Sequence, residues 1–248
     1  MDAIRPSTAL PSPRQNELLA ALPRWDYERL LPKLEPVALP RGCCVYGAGD
    51  REKYLYFVTA GVVSRFYVTE SGESAEFALT GSEGVIGIAS FLGGERMPSQ
   101  ALVLRSGFAY RLRVDSLETE VERHGALLRL LLRYTEALIE QTGQIALCNR
   151  RHSVEQQVCR WVLSMLDRSD EDELSVTQAL IAEMLGVRRE GVTEALGNLQ
   201  KEGLMHCSRG RIAVLDRRGL KARACECYGV IKRAYGTMIP RYDEAAAC

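Results

Sequence analysis

The chain has 248 residues, 46% of them hydrophobic and 26% charged, and its 32 Lys and Arg balance 32 Asp and Glu. This is the composition of an ordinary globular protein. No apolar run reaches the ~20 residues of a membrane span, so no membrane association is expected.

The opening residues, MDAIRPSTALPSPRQ, carry an acid at Asp2 and several prolines and serines. They lack the basic start and apolar core of a signal peptide, so residues 1–15 are expected to be a flexible tail on a cytoplasmic protein. Eight cysteines in such a chain argue against a disulfide framework. None forms a C-x-x-C pair or a zinc-finger spacing, so they read as small buried hydrophobes, with no metal and no cofactor expected.

Residues 37–114 look like strands. In YLYFVTAGVVSRFYV, Gly61 interrupts the run, after which Val62, Ser64, Phe66 and Val68 alternate with Val63, Arg65 and Tyr67. That is the period of a half-buried strand. ESGES is a turn between two such strands, and QALVLRSGFAYRLRV resumes the pattern after a glycine-punctuated stretch. Short strands with turn signals predict a small jelly-roll-like β-roll over residues 16–115.

Residues 116–149 change to good helix formers without proline. Leu127, Leu131, Tyr134, Leu138, Gln141, Ile145 and Cys148 follow a 4-3 spacing, the a/d seam of a coiled coil. Leu128, Leu130 and Leu132 widen the apolar face, so one side can pack on the β region and another on a partner. A seam with Gln141 inside it predicts a dimerisation helix, with Leu127, Leu131, Tyr134, Leu138, Gln141 and Ile145 at the interface.

Residues 150–248 read as short helices around a hairpin. Ser153 and Gln156 form a capping-box pattern, RSDEDE is an acidic surface loop, and Thr177 is a good N-cap. LMHCSRGRIAVLD reads as a hairpin turning at Gly210, and Asp216 is placed to cap a final helix running to about Tyr235. Between Arg188 and Arg233 eleven Lys and Arg face five Asp and Glu, a surplus of six positive charges in a neutral chain. A local basic patch suits a polyanion.

QALIAEMLGVRREGVTEALG carries the functional signal. Ile181, Leu185, Val187, Val192 and Ala195 are apolar, Ala182 is small, and Gly186 sits where the chain must turn. A helix-turn-helix needs this set: a small residue where the helices cross, a glycine that tolerates positive φ, and inward-facing residues that fix the angle. With the hairpin behind it the unit is a winged helix. The second helix, about 188–202, would enter the major groove of double-stranded DNA, offering Arg188, Arg189, Glu190, Thr193 and Glu194. Thr177 and Gln178 are placed to hold a phosphate, as are Arg209 and Arg211 in the wing.

The order of these parts, an α+β chain of β-roll, long helix and winged helix-turn-helix, resembles the Crp/Fnr family of bacterial transcription regulators from about residue 16 to 235. The resemblance is densest in TQALIAEMLGVRREGVTEALGNLQKEGLMHCSRGRIAVLD. It implies a homodimer joined by the long helix, a near-palindromic site, RNA polymerase as a partner, no enzymatic activity, and a sensory roll related to cyclic-nucleotide-binding domains. The chain also carries no Ser-His-Asp, P-loop, HExxH or paired-carboxylate arrangement. The family's Arg-Glu-x-x-x-Arg reading pattern appears as Arg189 and Glu190, with Glu194 in place of the second arginine.

The cyclic-nucleotide cassette of the family reads Gly-Glu followed, further on, by Arg-Ser/Thr-Ala. Here Gly87 is followed by Ile88, and Ser99-Gln100-Ala101 replaces the arginine triad, with Arg96 out of register. Gly87, Ile88, Arg96, Ser99 and Gln100 are thus the residues of any ligand site in the roll. A phosphate buried without its arginine faces a desolvation cost with little return, so cyclic AMP is not expected to bind tightly. A second reading is a redox or small-molecule sensor acting through Cys43, Cys44, Cys148 or Cys159.

Overall fold

The computed structural model of the chain describes residues 10–94, 96–169 and 171–239. Within the predicted tail, residues 1–9 lie outside the described residues. Residues 10–15 are docked: Ser12 caps a 3-10 turn at Pro13–Gln15, and Tyr110 Oη donates to the Pro11 carbonyl at 2.8 Å. Two short helices follow, α1 (Glu17–Ala20) and α2 (Arg24–Leu30). Asn16 caps the first by accepting from the Leu19 amide at 3.2 Å, while its side-chain nitrogen donates to the Val58 and Gly84 carbonyls at 2.9 Å. One buried residue thereby ties the chain start to the sheet.

The sheet contains β1 (Glu35–Leu39), β2 (Cys44–Tyr46), β3 (Tyr54–Val68), β4 (Ser74–Thr80), β5 (Val85–Ile86) and β6 (Gln100–Arg113), with a one-turn helix α3 (Ile88–Phe91) after β5. The order is β1-β6-β3-β4, with β2 on β6 and β5 on β3, all antiparallel. The long β3–β6 pair bends where its register shifts between Val58 and Val63. Gly61 makes the bend possible: its φ is +92°, and a Cβ there would lie 2.6 Å from the Arg105 carbonyl oxygen. Only glycine fits such an approach.

After α4 (Val114–Val121) the chain turns through His124, at φ +52°, into α5 (Ala126–Arg151). This 26-residue helix is the predicted long helix. The stripe predicted to face a partner faces inward instead. Leu127, Leu131, Tyr134, Leu138, Gln141, Ile145 and Cys148 are all buried within one protomer. Tyr134 packs against the roll, donating to the Val85 carbonyl at 2.9 Å and accepting from Arg65 Nη2 at 3.0 Å.

The capping box at Ser153 and Gln156 opens α6 (Val154–Leu166) as expected. Then come β7 (Glu173–Leu174), α7 (Gln178–Leu185), α8 (Arg189–Lys201), β8 (Met205–Ser208), β9 (Arg211–Val214), α9 (Arg217–Arg223) and α10 (Glu226–Met238). The end of the acidic loop is therefore a strand, pairing Glu173 with Ala213 and Leu174 with Ile212. The single final helix expected from Asp216 is two. Asp216 caps α9, and the chain is extended at Ala224 before Cys225 starts α10.

The packing of α10 also departs from the expected boundary at residue 150. Its Ile231, Ala234, Tyr235 and Met238 share a core with Tyr134, Ala137 and Leu138 of α5 and with Leu18 and Leu19 of α1. Gln141 is satisfied inside the protomer, where Tyr235 Oη donates to its Oε1 at 2.5 Å. A second core joins both halves of the chain: Val62, Phe66, Leu79 and Leu104 of the roll pack with Trp161, Val162, Ile181 and Met184. The alternating segment of β3 is buried on both faces as a result, from Val62 through Phe66.

Candidate nucleic-acid interface

The helix-turn-helix forms where its spacing predicts. Thr177 Oγ1 accepts from the Leu180 amide at 3.1 Å and starts α7. Gly186 ends it at φ 65°, ψ 35°, a left-handed cap of the kind glycine supplies without strain. The Val187 amide reaches back to the Ala182 carbonyl at 3.0 Å. Ile181, Ala182, Leu185, Val192 and Ala195 are buried, so the inward positions hold the two helices against each other.

The reading helix α8 begins at Arg189, with Arg188 in the extended N-cap position. Arg188, Arg189, Glu190, Thr193 and Glu194 are all exposed on its first two turns. Thr193 Oγ1 is bonded to Gln178 Oε1 at 2.7 Å and also lies 3.0 Å from the Arg189 carbonyl. Gln178 therefore braces the start of α7 against α8.

The wing turns at Gly210, φ +74°. Arg209 is exposed at its tip, and Arg211 Nη1 lies 3.4 Å from Glu173 Oε1 on β7, an exposed pair. Such a pair contributes little and can exchange partners. Between α8 and the wing runs a groove of about 550 Å3 lined by Thr177, Gln178, Arg189, Arg209 and Arg211 among others. Five of the nine predicted nucleic-acid residues thus meet on one concave surface, and the other four are the N-cap Arg188 and Glu190, Thr193 and Glu194 of α8.

The predicted ligand residues do not converge in the same way. Gly87 adopts φ +92° ahead of α3, and a Cβ on it would lie 2.6 Å from the Tyr54 carbonyl oxygen. Ile88 is part of the apolar core. Arg96 is on the outside, donating to the Gly49 carbonyl at 2.8 Å, while Ser99 is buried and Gln100 starts β6. Inside the roll the Arg65 guanidinium is buried and donates to Thr80 Oγ1 and Tyr134 Oη, both at 3.0 Å.

Of the four candidate redox cysteines, Cys43 and Cys44 are exposed. Burial pushes the Cys159 thiol up to about 12, which makes it a poor thiolate at neutral pH. Cys148 is buried at the far end of α5, with Cys225 Sγ at 3.5 Å.

Sequence reasoning missed how closely the two halves are docked. Ser74 Oγ donates to the Glu183 carbonyl at 3.2 Å, and Gly186 rests on Ala75. Beneath them Glu76 is buried and accepts from Ser64 Oγ at 2.6 Å and Trp161 Nε1 at 3.3 Å. Desolvation raises the Glu76 carboxyl above its ordinary range, partly offset by the Ser64 hydrogen bond, the Arg160 charge and Trp161. The only hint in sequence was an acid in the middle of an apolar strand.

Residues 156–223 match the Crp-like helix-turn-helix domain, and residues 36–124 match the cyclic nucleotide-binding domain. The global nitrogen regulator of Synechocystis sp. is 25% identical over 209 residues, covering 81% of this chain and 92% of that relative. Two solved structures share the fold. FixK2 from Bradyrhizobium japonicum has a TM-score of 0.67 at 19% identity, covering 77% of this chain and 98% of its own. A Crp/Fnr-family regulator from Eubacterium rectale has a TM-score of 0.68 at 16% identity, covering 85% and 98%. With a Crp-like helix-turn-helix following a cyclic nucleotide-binding-type roll, in that order along one chain, this protein belongs to the Crp/Fnr family of transcription regulators.

Proposed function

We propose that the protein acts as a homodimer that binds a near-palindromic DNA site, with α8 in the major groove and the wing on the backbone. The observation that carries this reading is the groove between α8 and the wing, where Arg189, Arg209 and Arg211 flank the polar start of α7. Arginine can grip guanine O6/N7 with two hydrogen bonds and glutamate can accept from cytosine N4. Arg189, Glu190 and Glu194 are the base readers in this reading, and Thr177, Gln178, Arg209 and Arg211 hold phosphates. RNA polymerase is the protein partner that the family suggests.

The dimer seam is the stripe of α5 beside the buried one, half-buried at Leu128, Thr135 and Thr142 and exposed at Leu132, Ile139 and Ala146. These repeat the 4-3 spacing one residue later, and Leu132 and Ile139 are 51% and 67% exposed in a single protomer. Thr135 and Thr142 turn their hydroxyls onto the Leu131 and Leu138 carbonyls, each at 2.8 Å. Their polar groups are thereby satisfied within the helix, leaving methyl groups for the seam.

The roll does not bind cyclic AMP tightly in this reading. Apolar Ile88 follows Gly87 where the ribose-binding glutamate would stand, Arg96 is engaged outside the roll, and Arg65 fills interior space. Calorimetric titration with cyclic AMP should give no binding at micromolar affinity.

An electrophoretic shift on fragments from upstream of the protein's own gene tests the main claim. A dimer should retard a fragment carrying an inverted repeat whose half-sites are ~10–10.5 base pairs apart, centre to centre. A folded dimer that retards no upstream fragment would count against DNA reading by α8.

A further inference from the structure

Four side chains with metal-ligating atoms meet at the junction of α5, α9 and α10. Cys148 lies in the last turn of α5, and His152 is the extended C-cap four residues on. Cys225 is the N-cap of α10, and Cys227 lies in its first turn. One ligand atom from each of these residues lies within 4.8 Å of all the others. Cys148 Sγ is 3.5 Å from Cys225 Sγ, and Cys227 Sγ is 3.4 Å from His152 Nδ1. A tetrahedral ion with metal–sulfur bonds of about 2.3 Å and a metal–nitrogen bond of about 2.0–2.1 Å holds its ligand atoms about 3.5–3.8 Å apart. The Cys148–Cys225 and Cys227–His152 pairs already stand near that spacing, and all four atoms lie within 4.8 Å of one another. An iron–sulfur cubane, with each thiolate on a different iron, needs a wider set.

The surroundings also suit a cation held by thiolates. Gln144 Nε2 lies 3.1 Å from Cys227 Sγ and can donate to it. Glu226 Oε1 is 3.4 Å from His152 Nε2, the nitrogen left free if Nδ1 takes the metal. A carboxylate in that place fixes the ring and its tautomer. Three thiolates around a dication leave one negative charge. Buried Arg160, whose side chain reaches Cys148, is the nearby counter-charge. Its Nε has no hydrogen-bond partner among the described residues. The N-terminus of α10 adds a favourable dipole.

We propose that Cys148, His152, Cys225 and Cys227 form a structural zinc site of the Cys3His type. Soft thiolates with one imidazole in a closed tetrahedral set select zinc over the hard oxygen-seeking cations. The ligands bracket the winged helix: one pair precedes α6 and the other follows α9, 77 residues apart between Cys148 and Cys225. The ion would close that long loop and pin the root of the DNA-binding half to α5. Cross-links that close long loops remove the most unfolded-state freedom.

Metal analysis of the full chain, purified under reducing conditions without chelator, tests this. The expected result is about one zinc per chain, lost in Cys225→Ser and Cys227→Ser and kept in Cys207→Ser, whose thiol lies on the wing. In case the serine variants do not fold, zinc-stripped wild type is titrated with cobalt(II). A thiolate-to-cobalt charge-transfer band with the intense visible bands of a tetrahedral centre supports the site. Wild type that carries no stoichiometric zinc and gives no such spectrum overturns it. So does a Cys148–Cys225 disulfide found by mass spectrometry in the reduced preparation, or iron with acid-labile sulfide in place of zinc.

Discussion

Arg189 and Arg209 both line the groove, yet they stand on different supports and should fail differently. Arg189 is exposed at the start of a 13-residue helix, where the proposed role is to read a base edge. Arg189→Ala should cost ~1–3 kcal/mol on the preferred site and relax one base position. Arg209 is at the tip of a two-stranded turn, suited to a phosphate. Arg209→Ala should weaken every sequence alike and reduce the salt dependence of log K by about one. Binding titrations on matched and mismatched sites at two salt concentrations separate the two. Equal losses on all sequences for both variants would mean that α8 is not the reading element. The exposure of these arginines and the turn at Gly186 could be anticipated from sequence, because each depends on residues within one twenty-residue window. A long-range pair such as Glu120 with Arg29 and Lys33 could not. Its carboxylate is buried, with Arg29 Nε and Lys33 Nζ each at 2.9 Å. Burial alone would raise its pKa, but the hydrogen bonds and charges of Lys33 and Arg29 outweigh that and lower it. The folded value is therefore below the unfolded one, so the stabilisation is present above about 4.5 and disappears as pH falls through the folded value. Glu120→Gln should cost roughly 1–2 kcal/mol in urea unfolding at pH 7, since the partners are a third exposed. The two proteins should converge in strong acid.

At the scale of elements, α5 shows what periodicity can and cannot decide. The run from Leu127 to Leu132 supplies two neighbouring 4-3 stripes, about 100° apart on the helix. Both satisfy a heptad pattern, and choosing between them needs the position of the roll and of α10. Polar Gln141 looked like a register-setting residue at a dimer seam, but Tyr235, 94 residues away, satisfies it internally. The proposed seam gives a contrast. Ile139→Glu changes an exposed side chain, so it should alter monomer stability by less than about 0.5 kcal/mol while shifting sedimentation from dimer to monomer. Leu131→Ala empties a site with no solvent exposure and should cost ~2–5 kcal/mol. A dimer unaffected by Ile139→Glu would place the seam elsewhere. The break between α9 and α10 escaped sequence reading for a similar reason. No proline or glycine marks Ala224, and the chain turns there because Leu220 packs under the winged helix while Tyr228 and Ile231 pack in two different cores.

At the scale of the whole molecule, the order of roll, long helix and winged helix could be read from the chain, because each part has its own local signature. The docking of the two halves could not, because the roll's outer face carries no motif for it. Its one trace in sequence is the acid Glu76 inside the apolar run of β4. The shared core from Phe66 to Met184 makes the two halves one cooperative unit, and Glu76 sits at its centre with Ser64 and Trp161. Because desolvation raises this carboxyl, its folded value lies above its unfolded one. The protonated group fits the docked state, a contribution present below about 4.5 and lost as pH rises through the folded value. Glu76→Gln keeps an oxygen acceptor for Trp161 and never ionises. The variant should match wild type near pH 4 and equal or exceed it at pH 7, with a flatter pH profile in chemical denaturation. Buried Arg160 and Arg168 pull the other way, so the sign of the difference at pH 7 is informative. A variant clearly less stable than wild type at pH 7 would show that Glu76 is held as an anion by those arginines. The interface between roll and reading domain would then be organised by a buried charge cluster instead of by apolar packing around a neutral acid.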